Sequence, residues 1–459
     1  MEQVHKVSFL DKYFSGASIN YHHIISLFLP ILVDQAFVVC LSMINTAMVS
    51  SSGAAAVSAV SMVDYLNLFI LNVFIAIATG GTVVIAQYKG SNNEEMVEKS
   101  APQALFIVTV VSIAVSVVLI LFHNLILTGL FGKAEESVMA NARIYFLGSC
   151  ISYPFYAMLQ SVCCSLRGVS ETKASLMISL IANSSLVLLN ALFIKGFQMG
   201  VLGLSVSLIV ARVIGSAVGI IYLVKFNQTL HFKIRNIFRL DFPLQKRILW
   251  IGIPFSMEQM FFHGGKILTQ TFVVELGTMS MTVNAIANSL FPILQIPANA
   301  LSLTIVTVVG QCMGAKNIAD SRKFMKSFVG LAAISFVVMP LILFPLLPVI
   351  LPLFAPAPEI VGDIYGVLWI AALGQPLFWP LSFICPSALR AAGDSKFVSI
   401  SSLITMWTVR VVLGYVFGIT LHFGLMGVWA AMVLEWAVRS IVFTIRFHGT
   451  KWCHHHVID

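Results

Sequence analysis

The hexapeptide PILVDQ at residues 30–35 returns 224 residues later as PFSMEQ at residues 254–259, and this recurrence decides the fold. In both copies a proline is followed four residues later by an acid and then by a glutamine. The same offset aligns further pairs without a gap: Gly53 with Gly277, Asp64 with Asn288, Gln87 with Gln311, Gly90 with Gly314 and Lys99 with Lys323. Self-similarity that keeps its register over this length predicts an internal duplication.

The apolar residues fall into blocks of about twenty, the length that a helix needs to cross ~30 Å of hydrocarbon. Hydrophobic residues make up 58% of the 459 residues and charged residues only 10%, too few to cover a soluble domain. We therefore predict an all-α integral membrane protein. Its twelve predicted transmembrane helices lie at residues 23–49, 57–86, 103–124, 138–162, 174–195, 201–225, 248–275, 283–312, 327–349, 361–387, 398–419 and 424–446.

The distribution of lysine and arginine predicts the orientation. With a cytoplasmic N-terminus, 20 of the 27 basic residues lie on the cytoplasmic side, three on the other side and four within spans. Because positively charged loops stay in the cytoplasm, both termini are predicted to be cytoplasmic in a multi-pass protein of the cell (inner) membrane. We expect no cleaved signal peptide. The net charge of +8 follows from this topology and does not indicate nucleic-acid binding.

The repeat divides the chain into two lobes. We predict an N-terminal six-helix lobe at residues 1–226, a cytoplasmic connecting segment at 227–247 and a C-terminal six-helix lobe at 248–459. An even number of spans per lobe makes the repeat parallel, with a pseudo-two-fold axis along the membrane normal. Two lobes that rock about a central cleft give alternating access, so this architecture favours a transporter over a channel.

Motifs of other functional classes are missing from the sequence. It contains no Gly-x-x-x-x-Gly-Lys-Ser/Thr loop, so we expect no ATP-driven transport. It contains no HExxH, CxxC or Ser-His-Asp pattern. We therefore expect that the protein is not an enzyme, has no catalytic residues and has no metal site. We expect a monomer that needs no cofactor beyond a coupling ion.

Charged side chains within spans are candidates for function, because each costs on the order of 2.5–3.5 kcal/mol at the bilayer centre. Asp34 and Glu258 lie four residues after a proline that loosens the helix, and they are followed by Gln35 and Gln259. A carboxylate at a partly dry cleft can exchange a proton for a cationic substrate, as an antiporter requires. A structural interpretation, in which both acids pair with basic residues such as Lys266 or lie in cytoplasm-facing water, is also open.

Helical spacing adds further candidates for substrate or ion binding. Asn45 lies eleven residues after Asp34, nearly on the same face of the first helix. Lys266 lies seven residues after Gln259, and His263 lies near the same stripe. Lys266 is then either the counter-charge that keeps Glu258 ionised or an anchor for anionic substrates.

The other intramembrane charges are interpreted as structural. Glu435 and Arg439 lie four residues apart and are predicted to pair on one helix. Arg212 and Arg410 are predicted to anchor helices to carbonyl groups or to acids of neighbouring spans.

Six short motifs point to a family: Ile44-Asn45-Thr46, Ser165-Leu166-Arg167-Gly168, Leu189-Asn190, Gly252-Ile253-Pro254, Val309-Gly310-Gln311-Cys312-Met313-Gly314-Ala315 and Leu389-Arg390-Ala391-Ala392-Gly393. With them the chain resembles the MATE (multidrug and toxic compound extrusion) transporters over essentially its whole length. The resemblance implies twelve helices in two lobes and export of organic, often cationic, compounds in exchange for H⁺ or Na⁺. It also makes Asn190 a candidate binding residue.

The chain departs from this family where coupling carboxylates are usual. The family's first-helix acid falls on Asn45, and its residue four places after the fifth-helix asparagine falls on Ile194. In one branch, a seventh-helix acid falls on Phe262 and a tenth-helix acid falls near Trp379. The duplicated acids after the two prolines are then the candidates to replace them.

Two alternatives to a rocker-switch antiporter of organic compounds stay open. One is a lipid or lipid-linked oligosaccharide flippase of the same superfamily, which would use basic residues such as Lys266 to hold pyrophosphate. The other is a membrane channel or receptor without coupled transport.

Overall fold

A computed structural model describes residues 9–50, 53–131, 135–354, 356–455 and 457–458, and almost all of them are helical. The chain ends Met1 and Asp459, predicted to be cytoplasmic, lie outside these ranges. The α-helices are α1 Phe9–Phe14, α2 Tyr21–Ser50, α3 Ala54–Gly90, α4 Glu94–Leu121, α5 His123–Phe131, α6 Glu136–Gly168, α7 Thr172–Asn190, α8 Gly200–Lys225, α9 Phe242–Glu275, α10 Thr278–Gly314, α11 Ile318–Ile350, α12 Pro358–Trp379, α13 Cys385–Ala391, α14 Ser395–Thr405, α15 Val412–Tyr415 and α16 Gly424–His448.

Segments of π-helix join several of these α-helices into longer continuous helices. Ala191–Gly196 extends α7, and Pro380–Ile384 links α12 to α13. Met406–Val411 and Val416–Thr420 flank α15 and so continue α14. Wide turns of this kind are frequent at functional sites, because they redirect side chains without ending the helix.

Ten helical segments of the described chain are long and apolar enough to cross a membrane. The long helices α6 and α9 complete the predicted twelve spans. Their composition is more polar, with residues such as Arg143 and Arg167 in α6 and Lys246 and Arg247 in α9. The prediction of twelve transmembrane helices in an all-α membrane protein is confirmed.

The duplication is visible in the backbone. Helices α3 and α10 have 37 residues each and begin 224 residues apart. Each follows a glycine with a positive φ, 95° at Gly53 and 94° at Gly277, in a conformation that disfavours any side chain. Helices α4 and α11 both begin after an asparagine that caps the helix, Asn93 and Asn317. The two halves therefore share helix boundaries as well as sequence.

The chain packs as two compact units, residues 36–260 and residues 1–35 with 261–459. The unit of residues 36–260 contains the N-terminal part of α9. The other unit contains the N-terminal part of α2. Both division points lie five or six residues after the proline of their helix, Pro30 or Pro254. The sequence-based lobe boundary at 227–247 stays a prediction.

Within the unit of residues 36–260, small residues let α3 and α9 approach closely. A Cβ atom on Gly80 would lie 2.5 Å from the Ile248 carbonyl oxygen, and one on Gly252 would lie 2.9 Å from the Ile77 Cα. Lipid tails are as apolar as the helices, so the hydrophobic effect does not drive helices together within a membrane. Close backbone contact at small residues is the usual source of helix association there. Glycine is therefore required at this crossing.

In the other unit, a buried ion pair lies on α16. Arg439 Nη1 lies 3.3 Å from Glu435 Oε1, and its Nη2 donates to Ser402 Oγ at 3.1 Å. The guanidinium also lies 4.7 Å from the centre of the Phe383 ring. The spacing of four residues predicts this pair. The contacts of Arg439 with Ser402 and Phe383 also connect α16 to the two segments that carry these residues.

Gly80→Ala is expected to lower the apparent melting temperature of the purified protein, because the added methyl group meets backbone that cannot rotate away. Overpacking of this kind typically costs about 1–3 kcal/mol. Gly330→Ala in α11 is the matched control, since no atom lies within 4 Å of its Cβ position and alanine is the better helix former. Both melting temperatures are measured in detergent, by heating the purified protein and recording the loss of the monodisperse species. Equal melting temperatures for the two variants would contradict the close crossing.

Candidate functional site

Each unit contains a polar cavity that is lined by side chains from several spans. The cavity of residues 36–260, here the N-terminal cavity, is bounded by α2, α3, α6, α7 and α8 and encloses about 970 Å³ with its mouth included. Aliphatic side chains form much of its wall. The polar residues of its lining are Ser42, Asn45, Ser61, Asp64, Tyr145, Asn183 and Asn190.

Asp64 is the acid of the N-terminal cavity. Its Oδ1 accepts hydrogen bonds from the Tyr145 hydroxyl at 2.9 Å and from Asn67 Nδ2 at 3.2 Å. Asn67 is held in turn by the Tyr153 hydroxyl, which donates to its Oδ1 at 2.6 Å. Within the described residues, Asp64 Oδ2 has no hydrogen-bond donor. One carboxylate oxygen is thus fixed by the fold, and the other is available to a ligand.

Asn45 and Asn190 form the second polar group of this cavity. Asn190 Nδ2 donates to Asn45 Oδ1 at 3.1 Å, although the residues are 145 positions apart. Asn190 is fully buried, and its Oδ1 has no partner among the described residues. An unpaired buried carbonyl oxygen is costly unless a ligand satisfies it. The cavity therefore offers an ionisable oxygen on Asp64 and an unused acceptor on Asn190, a combination suited to a proton or a small cation.

The cavity of the other unit, here the C-terminal cavity, has the opposite charge. It is bounded by α9, α10, α16 and the π segment Met406–Val411, and it encloses about 410 Å³ with its mouth included. Lys266 and Arg410 line it, and none of its lining residues is acidic. Its remaining lining residues are Thr269, Gln270, Val273, Asn284, Asn288, Val428, Trp429 and Met432.

The two cavities occupy equivalent positions in the repeat. Seven residues of one cavity align with seven of the other at the offset of 224: Ser42 with Lys266, Asn45 with Thr269, Val60 with Asn284, Asp64 with Asn288, Leu186 with Arg410, Leu204 with Val428 and Leu208 with Met432. Equivalent positions of the two halves therefore line both cavities, and one cavity carries an acid, whereas the other carries two cations.

The site residues predicted from the sequence do not all lie in one cavity. Asn45 and Asn190 meet in the N-terminal cavity, and Lys266 lines the C-terminal one. The side chain of His263 meets the neighbouring Phe262 ring edge to face, with 5.8 Å between ring centres. His263 lines neither cavity.

The duplicated acids and their glutamines also lie outside both cavities. Asp34 and Gln35 are half-buried on α2. Glu258 is 5% exposed and Gln259 is half-buried on α9. Asp34 and Glu258 each have a polar or electrostatic partner. No carboxylate lies within salt-bridge distance of Lys266 in the described chain, so a pairing of either acid with Lys266 is not seen. The functional and the structural interpretation of these two acids both stay predictions.

Sequence reasoning did not select Asp64 or Arg410 as site residues. Asp64 is an acid within a predicted span, and its alignment with Asn288 shows that this position is polar in both halves. Arg410 was interpreted as a helix anchor, yet it lies on a cavity wall. Helical periodicity within one span could not show this, because the neighbours that define each cavity come from distant parts of the chain.

Comparison with known proteins agrees with this duplicated architecture. The family model MatE matches residues 30–192 and again residues 254–416, two segments that are 224 residues apart. The chain belongs to the MatE family. This result confirms the family resemblance seen in the sequence, and it identifies the chain as a member of a family of multi-pass membrane transporters.

Similar proteins extend over nearly the full length of this MatE chain. "Uncharacterized transporter YisQ" of Bacillus subtilis is 26% identical, covering 96% of this chain and 95% of its own. "Probable multidrug resistance protein NorM" of Thermotoga maritima is 24% identical, covering 94% and 92%. A crystal structure of MATE in complex with MaL6 superimposes with a TM-score of 0.86 at 17% identity, covering 93% and 96%. The fold is therefore that of the MATE transporters.

The hydrophobic reagent N,N′-dicyclohexylcarbodiimide is expected to modify Asp64, because this carboxyl group faces a largely apolar cavity and keeps one oxygen free. Peptide mass spectrometry of the labelled protein measures the site, and Asp64→Asn is the control that should remove the adduct. Glu258 should stay unlabelled, since it is buried and already partnered. Adducts on Asp34 or Glu258 with none on Asp64 would contradict this assignment.

Proposed function

We propose that this protein is a secondary active transporter that exports organic compounds, cationic ones among them, by antiport with H⁺ or Na⁺ through alternating access. The observation that carries the proposal is Asp64, an intramembrane carboxylate with one oxygen free in a polar cavity. Such a group is expensive to place in a membrane and is by default a functional one. The proposal also agrees with the multidrug resistance names of relatives such as the Thermotoga maritima NorM protein.

Asp64 suits the coupling role better than the duplicated acids. Its Oδ1 is held by Tyr145 and Asn67, which fixes the orientation of the carboxylate toward the cavity. Asn190 adds an acceptor oxygen in the same cavity. Oxygen ligands of this kind bind Na⁺, and the carboxylate alone suffices to carry H⁺. Asp34 and Glu258 line neither cavity and are instead proposed to stabilise α2 and α9.

The transport cycle follows from loading and unloading of one carboxylate by the coupling ion. In the outward-facing state Asp64 takes up H⁺ or Na⁺, and the substrate is released. The loaded protein then returns to the inward-facing state, where the ion leaves and cytoplasmic substrate enters. A membrane potential of about 100 mV contributes ~2.3 kcal/mol for each charge that moves inward.

The setting of this cycle is also a proposal. The protein would act in the cell (inner) membrane with both termini in the cytoplasm, as the distribution of basic residues predicts. It would act as a monomer on small organic substrates, with the ion gradient as its only energy source and no ATP, nucleic acid or organic cofactor.

Asp64→Asn is expected to abolish ion-driven export of a cationic dye from proteoliposomes, because the amide cannot bind or release the coupling ion. Dye export is measured by fluorescence with a Na⁺ gradient and a pH gradient imposed separately, which also identifies the ion. Dye exchange without an ion gradient should persist in Asp64→Asn and shows that the variant is folded. Asp34→Asn and Glu258→Gln, the matched controls, should retain driven export.

Three outcomes would overturn the coupling role of Asp64. Driven export that survives Asp64→Asn would exclude it. Driven export lost in Asp34→Asn or Glu258→Gln, with exchange intact, would return the role to the duplicated acids. Non-saturating ion conductance would indicate a channel.

A further inference from the structure

Lys266 and Arg410 form a pair of cations in the C-terminal cavity that the coupling mechanism does not use. Lys266 Nζ lies 6.0 Å from the centre of the Phe262 ring, and the Arg410 guanidinium lies 5.8 Å from the same centre. One aromatic ring therefore has both cations close to it. Contacts of this type offset only part of the cost of two charges within a membrane span.

No acid neutralises the pair. Across the described residues, no carboxylate lies within salt-bridge distance of Lys266 or Arg410. Glu435 acts electrostatically on Arg410, but its Oε1 is engaged by Arg439. Buried cations in membrane proteins normally have such a partner. Within the described residues, Lys266 and Arg410 therefore lack a carboxylate partner at contact distance.

A chain of hydrogen bonds fixes the amide groups of this cavity. The indole nitrogen of Trp429 is able only to donate, and it donates to Asn284 Oδ1 at 3.0 Å. The Asn284 amide nitrogen must therefore donate onward, which it does to Gln270 Oε1 at 2.8 Å. The NH₂ group of Gln270 is left without an acceptor in the described part of the chain. The network consequently presents a donor to the cavity.

The groups left over in the cavity are nearly all donors. Lys266 and Arg410 carry only donors, and Gln270 adds its amide nitrogen. The Thr269 hydroxyl donates to the Lys266 carbonyl at 2.9 Å and so is occupied. Asn288 donates to the Asn284 carbonyl at 2.9 Å, which leaves its Oδ1 as an acceptor beside them. Three donors of this kind match a carboxylate, sulfonate or phosphate group.

Both cations are accessible from the cavity to different degrees. Lys266 is exposed, whereas Arg410 is 9% exposed and held in the π segment of its helix. The arrangement is that of a largely buried planar guanidinium with an exposed ammonium group lining the same cavity. Such a pair combines bidentate recognition by arginine with an adaptable point charge on lysine.

From this juxtaposition we propose that the C-terminal cavity binds the anionic group of the transported molecule. The substrates of the proposed transporter are then organic compounds that carry a carboxylate, sulfonate or phosphate group, zwitterions included. This inference rests on the proposed export function for its biological meaning. The binding site itself does not depend on ion coupling.

Two rhodamine dyes that share one cationic ring system test the site, one with a free benzoate and the other with its methyl ester. Fluorescence polarisation of the full-length protein in detergent measures their dissociation constants. The unmodified protein should bind the benzoate dye more tightly. Lys266→Met and Arg410→Gln should each weaken benzoate binding about tenfold or more, as expected for lost charge-assisted hydrogen bonds. Their binding of the ester should change little.

Lys195→Met is the matched control, because it removes one exposed positive charge that lines neither cavity. It should leave the preference for the benzoate dye intact. Dye binding in detergent needs no ion gradient, so a failure of the coupling proposal is distinguishable from a failure of the anion site. Size-exclusion profiles of all variants report on folding, and unchanged ester binding shows that the cavity variants retain the native protein.

The source of the anion is distinguished by competition. Displacement of the benzoate dye by phosphatidylglycerol, and not by phosphatidylcholine, would support the site with a lipid headgroup as its occupant. Displacement by soluble benzoate or phosphate alone would support it with a free solute. Equal affinity of the unmodified protein for both dyes, no binding of either, or parallel loss of both in Lys266→Met and Arg410→Gln would overturn the proposal.

Discussion

The constraint on which this structure depends is the absence of water in the hydrocarbon layer. A backbone N–H or C=O group without a partner there costs several kcal/mol, so the chain has to satisfy its hydrogen bonds within each span. The long helices of both units meet that requirement. Because lipid is as apolar as the helices, close contact of small residues such as Gly80 and Gly252 replaces the hydrophobic effect in holding them together.

The same constraint makes polar side chains informative. Glu435 and Arg439 neutralise each other, and Asn67 is satisfied by Tyr153 and its neighbours, so these groups stabilise the packing. The two cavities differ in the charged groups that they leave unsatisfied. The N-terminal cavity leaves acceptors on Asp64 and Asn190. The C-terminal cavity leaves donors, and this asymmetry is the basis of both proposals.

Duplication explains how one fold came to hold two such sites. The halves keep equivalent turns, as the positive φ angles of Gly53 and Gly277 show, and equivalent helix caps. Side chains on a cavity wall are under weaker geometric demands than these turns, so they were free to diverge. The position of Asp64 in one half is occupied by Asn288 in the other, and that of Ser42 by Lys266.

The sequence by itself determined the membrane location, the twelve spans, the repeat and the family, because span length, charge bias and register are local or periodic properties. It also gave Asn45, Asn190 and Lys266 as candidate binding residues, and the structure places all three on cavity walls. Only the tertiary structure decided which acid faces a cavity. Asp64 receives its hydrogen bond from Tyr145, 81 residues away, and no spacing within one helix reports such a neighbour. Likewise, the donors around Lys266 depend on Trp429, whose direction is fixed by packing between helices.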